Sequence, residues 1–170
     1  MNPLLAQWNG LEEDEAAEAI LPCCGSRRWA QSLARLRPFH DPEELLNRSD
    51  EVWAQLDVAD WDEAFASHPR IGEKKAPAGV TAKSGEWSSH EQSGVERASE
   101  DVQERLRRLN EEYEQRFGRI YIVCATGKAA EEMLSILEGR LASDDATELR
   151  EAAEQQRQIT HLRLRKWLGL

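Results

Sequence analysis

Apolar residues recur at intervals of three and four along most of the chain, the spacing of helices with one dry face. The pattern predicts helices over residues 11–20, 27–36, 42–56, 60–67, 89–115, 128–142 and 146–168. Pro38 stops the second of these, and Asp41-Pro42-Glu43-Glu44 starts the third, with a capping residue ahead of a proline at the first helical position. Only one run favours a strand, Ile120-Tyr121-Ile122-Val123-Cys124-Ala125, ended by Gly127. A single strand cannot make a sheet, so this run reads as a buried extended segment or a helix start inside an all-α domain. Residues 69–87 break the pattern altogether, with two prolines, three glycines and four lysines or arginines. A loop longer than about 12–15 residues is uncommon and is usually functional or disordered.

Helical phase, at about 100° per residue, then sorts the polar groups. Val95, Ala98, Val102, Leu106, Leu109, Tyr113 and Phe117 form one stripe, and extending it backwards reaches Glu91, Gln92 and Ser88, which are expected to face inward. The structural alternative is that Ser88-x-x-Glu91 and Ser89-x-x-Gln92 are capping boxes at a helix start. Trp61, Ala64, Phe65 and His68 form a stripe on the preceding short helix, placing His68 at a core-facing C-terminus. There the helix dipole favours imidazolium while burial favours the neutral ring. A core histidine bonded to a carbonyl is the plainer reading. In the last helix Leu149, Ala152, Ala153, Ile159 and Trp167 mark the buried side. Arg163 lies about 40° from Trp167 and Arg165 about 160° away, so Arg163 is the inward arginine or a snorkelling one. Taken together, inward His, Glu, Gln, Ser and Arg groups need partners, and a shared polar pocket supplies them.

Composition narrows the function. The 170 residues fit one domain, residues 1–170, and six Trp supply core anchors. A net charge of −10 argues against a nucleic-acid partner and leaves any anionic substrate dependent on a local basic group. Three cysteines without CxxC or zinc-ligand spacing suggest neither disulfides nor a metal site, and fit a reducing, cytoplasmic setting. No apolar run is long enough to span a membrane, there is no signal-peptide pattern, and the C-terminus is not a Ser-Lys-Leu address.

A series of stretches then carries a family likeness, beginning with Cys23-Cys24-Gly25-Ser26-Arg27-Arg28-Trp29-Ala30, Arg37-Pro38-Phe39 and Asp60-Trp61 with Ala64-Phe65. They continue through Ser67-His68-Pro69-Arg70-Ile71-Gly72, Ser88-Ser89-His90-Glu91-Gln92-Ser93-Gly94, residues 113–118, Ile122-Val123-Cys124-Ala125 and Ile159-Thr160-His161-Leu162-Arg163-Leu164. On these residues the chain resembles the 2-oxo-4-hydroxy-4-carboxy-5-ureidoimidazoline (OHCU) decarboxylases, in their stand-alone bacterial form. His-Pro-Arg-Ile-Gly combined with the downstream Ser-x-x-Glu-Gln is specific, whereas either piece alone is weak. The resemblance implies an all-helical single-domain bundle, usually a homodimer, with no metal or organic cofactor, completing urate breakdown to (S)-allantoin. It implies that His68 is the catalytic histidine and Glu91 the catalytic acid. Arg163 would bind substrate, Ser88 and Gln92 would hydrogen-bond it, and Pro69 with the main chain at Val123 and Ala125 would add contacts. No fused transthyretin-like hydrolase domain is seen, so the preceding ring opening is expected of another protein.

His90, His161 and His40 fall off the inward stripes and read as surface or structural groups. Cys124 reads as a pocket wall, and Lys74, Lys75 and Lys83 as a solvated loop or a guide for the anion. Two other functions fit parts of the pattern. A non-catalytic helical interaction module would use the inward groups as caps, and a metal-dependent hydrolase would use His68 and Glu91 as ligands.

Overall fold

The computed structural model describes residues 1–72 and 81–170. Among these residues it contains ten helices and no strand. They group into two compact units, Met1–Ala64 with Arg157–Leu170, and Phe65–Gln156.

The first unit begins with α1 (Pro3–Asn9), whose first turn is closed by the Asn2 side chain accepting from the Leu5 N–H at 3.1 Å. Helix α2 (Glu13–Cys24) ends at Gly25, whose φ of +91° places it in the left-handed region that only glycine enters without strain. Ser26 then caps α3 (Arg27–Arg35) by accepting from the Trp29 N–H. Asp41 caps α4 (Pro42–Ala54) by accepting from the Glu44 N–H at 2.9 Å, as the sequence signal predicts. The large apolar anchors are Trp8, Trp29, Phe39, Leu45 and Leu46, all essentially without solvent contact. Trp8 stacks on Phe39 at 6.0 Å and meets Trp167 edge-on at 5.8 Å. Arg37 binds this cluster together: its guanidinium lies 5.2 Å from the centre of the Trp8 ring and donates to the carbonyls of Ala34, Trp8, Asn9 and Leu11. Those carbonyls lie near the ends of α1 and α3, where main-chain acceptors lack intrahelical partners, which gives the Arg37-Pro38-Phe39 stretch a structural reason.

Two helices have residues in both units, α5 (Val58–Ala66) and α10 (Asp145–Trp167).

The second unit is built around α8 (Glu100–Phe117), which packs on α9 (Ala130–Arg140). Its dry side follows the predicted stripe, with Leu106, Leu109, Tyr113 and Phe117 buried and Val102 partly buried, and the partly buried Ala98 extends the stripe ahead of the helix. Residues 121–125 are buried without regular secondary structure, the first of the two forms predicted for them.

The single helix predicted over 89–115 is instead three. They are α6 (Ala82–Glu91), α7 (Ser93–Glu96) and α8. Thr81 caps α6 by accepting from the Ser84 N–H at 3.2 Å, and Ser99 caps α8 by accepting from the Val102 N–H at 3.4 Å. Ser88 and Glu91 therefore close the last turn of a helix rather than open the first, and the capping-box alternative fails. The unstructured reading of 69–87 is corrected in the same way over 82–87, which are the first turns of α6. Helix α1 also escaped the sequence pattern, because only Leu5 and Trp8 of its seven residues are buried.

Candidate active site

His68 follows α5 in a turn, with its N–H on the Phe65 carbonyl at 3.2 Å and the residue 8% exposed. It thus sits just beyond the helix terminus and not within it. Its Nε2 lies 2.6 Å from Oε1 of Gln156, which is fully buried on α10. A carbonyl oxygen only accepts, so Nε2 carries the proton, and in the neutral ring the lone pair resides on Nδ1. Pro69 behind it is buried, and Arg70 turns outward to pair with Glu114 at 2.6 Å. Ile71 drops into the apolar cluster of the unit, and Gly72 turns the chain with φ of +92°.

The two halves of the His-Pro-Arg-Ile-Gly and Ser-x-x-Glu-Gln pattern meet. Gln92 Oε1 accepts from the Gly72 N–H at 3.0 Å, joining the turn after His68 to the end of α6. Ser88 is 2% exposed, and Glu91 and Gln92 are half-buried. Val95, directly after, shares one apolar cluster with Ile71, Val123 and Ala125, so these side chains pin three chain segments to a common base. The side chains of Val123 and Ala125 are thus core. Their main chain is anchored nearby, by the Cys124 N–H donating to Gln155 Oε1 at 2.8 Å and by Lys128 Nζ donating to the Cys124 carbonyl at 2.7 Å.

Helix α7 lies so close to the next loop that a Cβ on Gly94 would come within 2.7 Å of the Lys128 carbonyl oxygen. This contact borders a cleft of about 460 Å³ lined by Glu91 and Ala125 among others, with His90, Arg97 and Lys128 on its walls. The same unit holds a buried charged network. Glu148, with no exposure, accepts from Arg140 Nε at 2.7 Å and from the Tyr113 hydroxyl, while Arg140 also donates to the Ile122 carbonyl. Burial opposes the Arg140 charge, but the Glu148 hydrogen bond and attraction outweigh it and hold the guanidinium above its ordinary value. Burial first, and the Glu148 bond second, push the Tyr113 hydroxyl well above the phenol range.

Arg163 belongs to the first unit. It is 1% exposed, against a half-buried Arg165 that pairs with Glu43 at 3.4 Å, so helical phase chose the buried arginine. Its Nη1 donates to the Pro22 carbonyl at 3.2 Å, in the last turn of α2, where positive charge is favoured. Burial pushes the Cys24 thiol nearby up to about 12. Among the residues set aside, His40 and His90 are exposed, His161 lies 4.0 Å from Asp50, and Cys124 is buried. Lys83 is exposed over the Trp87 ring, whereas Lys74 and Lys75 lie outside the described residues.

Sequence reasoning missed Gln156 and the Glu148 network. The signal for Gln156 was present, since it continues the 152, 159, 163 spacing of α10. A stripe drawn through the apolar residues and arginines of that helix alone does not reveal it. Among the described residues no group of three or more His, Cys, Asp or Glu could hold a metal ion.

The fold is all-helical, and its candidate site offers a buried histidine bonded to a buried amide, and a half-buried carboxylate beside a second amide that ties the end of α6 to the turn after that histidine. Residues 9–165 match the family described as OHCU decarboxylase. The chain belongs to the OHCU decarboxylase family. It is 34% identical over 145 residues to the uric acid degradation bifunctional protein TTL of Arabidopsis thaliana, covering 85% of this chain and 44% of that protein. It spans less than half of that relative. It is 32% identical over 168 residues to the 2-oxo-4-hydroxy-4-carboxy-5-ureidoimidazoline decarboxylase of Amia calva, covering 94% of this chain and 91% of that one. A crystal structure of OHCU decarboxylase in the presence of (S)-allantoin superimposes with a TM-score of 0.77 at 30% identity, covering 94% of this chain and 100% of its own.

Proposed function

We propose that the chain catalyses cofactor-independent decarboxylation of OHCU to (S)-allantoin and CO2, the last step of urate degradation. The observation that carries this reading is the match of residues 9–165 to the OHCU decarboxylase family. The substrate has a hydroxyl and a carboxylate on one ring carbon, with an imine carbon beside it. When the bond to the carboxylate breaks, its electron pair forms a double bond to the imine carbon, the imine π pair passes to its nitrogen, which takes up a proton, and an enol-like intermediate remains. The substrate is its own electron sink, which is why the chemistry asks only for proton transfer and positioning.

His68 acts as the general base on the hydroxyl proton. The Nδ1 lone pair is the acceptor for that proton, since Nε2–H is committed to Gln156. Glu91 carries a proton toward the ureido-bearing carbon, and delivery from one face gives a single enantiomer. Ser88 and Gln92 hydrogen-bond the substrate. With Gln92 Oε1 engaged by Gly72, its amide N–H groups are what it offers. Pro69 and the main chain at Val123 and Ala125 add contacts. Arg163 binds the substrate anion, supplying positive charge that a chain of net charge −10 otherwise lacks. The support for its role is the burial of its guanidinium together with the resemblance of the Ile159 to Leu164 stretch.

We further propose a homodimer, on the resemblance, and a cytoplasmic setting, on three buried thiols. Among the described residues no helix is long and apolar enough to cross a membrane. Light scattering at micromolar concentration tests the dimer.

The decisive assay generates OHCU freshly with uricase and the hydrolase and follows optical rotation as well as rate. Spontaneous decay gives racemic allantoin, so rapid formation of the (S) enantiomer is the expected result. A rate equal to spontaneous decay with racemic product overturns the reading. His68→Asn with near-normal turnover overturns the base assignment, and Glu91→Gln with near-normal turnover overturns the acid.

A further inference from the structure

We infer that Gln156 is a positioning residue for His68, fixing the ring's tautomer and orientation through the 2.6 Å contact between Gln156 Oε1 and His68 Nε2. The inference rests on His68 being the proton-transfer group of the proposed reaction. Both partners are buried, Gln156 at 0% and His68 at 8% exposure, so water does not compete strongly for either group. Gln156 stands in α10 between Ala152 and Ile159, both buried, and this packing holds its amide on one side of the helix.

The chemistry of the partner matters as much as its position. A base must present its unprotonated nitrogen to the substrate, and the proton on the other nitrogen decides which one that is. A carboxylate at this place would orient the ring but also stabilise the imidazolium, drawing a proton onto the nitrogen that is meant to accept one. A neutral amide oxygen selects the Nε2–H tautomer with far less of that bias. Gln156 thus sets which nitrogen of His68 is reactive without placing a counter-charge on the ring.

The test needs one acceptor-free and one acceptor-retaining variant. Gln156→Met keeps the length and volume of the side chain and removes the acceptor, and Gln156→Glu keeps an acceptor. Nitrogen-15 spectra of the histidine ring report the tautomer in the absence of substrate. The expected wild-type spectrum shows His68 as a single Nε2–H tautomer above its titration. Gln156→Met moves the two ring nitrogens toward each other, the signature of mixed tautomers, and lowers kcat about tenfold with KM within about threefold. Gln156→Glu retains the Nε2–H tautomer. An Nδ1–H tautomer in the wild type overturns the inference, as does a Gln156→Met protein with unchanged ring shifts. The ring spectra separate this question from the larger one: inactivity toward OHCU together with a Gln156-dependent tautomer would refute the proposed reaction and leave the positioning role standing.

Discussion

Replacing Glu148 with leucine should be among the most destabilising single changes this protein can suffer away from the large aromatic anchors. Glu148 has no solvent exposure, and it accepts from Arg140 through Nε at 2.7 Å and through Nη2, as well as from the Tyr113 hydroxyl. The variant leaves a guanidinium that is 7% exposed, lies 4.9 Å from the centre of the Tyr121 ring and keeps its bond to the neutral Ile122 carbonyl but loses its counter-charge. Breaking one side of a buried pair leaves an uncompensated charge and costs about 3–5 kcal/mol. Loss of the Tyr113 bond lies within that figure and does not add to it, since the three groups form one network. For a chain of this size each kcal/mol lowers Tm by about 2–4 °C, so a fall of about 10 °C is expected. Urea unfolding followed by circular dichroism measures it directly, with an unchanged m-value as the sign that only stability has moved. The partner experiment is Arg140→Met combined with Glu148→Leu. Removing both charges also removes their desolvation, so the double variant should recover much of the loss. A single-variant cost below about 1 kcal/mol, or a double variant as unstable as the sum of the singles, would refute the reasoning.

Four further outcomes follow from the structure and the proposed reaction. Gly94→Ala puts a Cβ 2.7 Å from the Lys128 carbonyl oxygen, a main-chain atom that cannot swing away, so it should cost about 1–3 kcal/mol and lower turnover by shifting the wall that carries Ala125; unchanged stability and kcat would contradict it. The Cys24 thiol, pushed up to about 12 by burial, should resist a disulfide reagent at pH 8 in the folded protein, and its contribution to stability is complete below about pH 9 and lost as pH rises from there to about 12, because the unfolded thiol ionises first. Rapid labelling of Cys24 in native protein, located by mass spectrometry, would contradict this. Arg165→Ala should change stability by less than about 1 kcal/mol and keep near-wild-type kinetics, since its pairing with Glu43 is largely exposed, whereas Arg163→Lys should raise KM for OHCU if Arg163 binds the substrate anion as proposed.

Much of the fold was legible where a helix carries its own punctuation and an apolar stripe. Asp41-Pro42 opened α4 as read, and the stripe from Leu106 to Phe117 gave the buried side of α8. What defeated the reading was the join between α6 and α8. Val95, Ala98 and Val102 keep helical spacing across a chain that is not one helix, because α7 is a single turn between two caps and its Val95 still points to the same cluster. Periodicity reports burial, and burial continued where the hydrogen-bond ladder did not. Ser99 ahead of Glu100 and Asp101 was the overlooked stop, a capping residue with an acidic first turn.

The inward direction of Ser88, Glu91 and Gln92 withstands that error for a physical reason. Phase was used to ask which polar groups face inward, and Ser88, Glu91 and Gln92 do turn away from solvent to different degrees, although their helix ends there and does not begin. The inward direction comes from the pins on either side, Gln92 on the Gly72 N–H and Val95 in the apolar cluster. Groups whose signal is chemical and not periodic stayed hidden. Glu148 stands in the first turn of α10, where an acid is favoured with no further partner, and only the fold brings Arg140 and Tyr113 to it. The same distinction bears on Gln156. When every polar residue of α10 is phased, and not only its arginines, Gln156 falls beside Arg163 on the inward side. A polar residue on a buried stripe needs a partner, and in this chain the partner is the histidine on which the proposed chemistry depends.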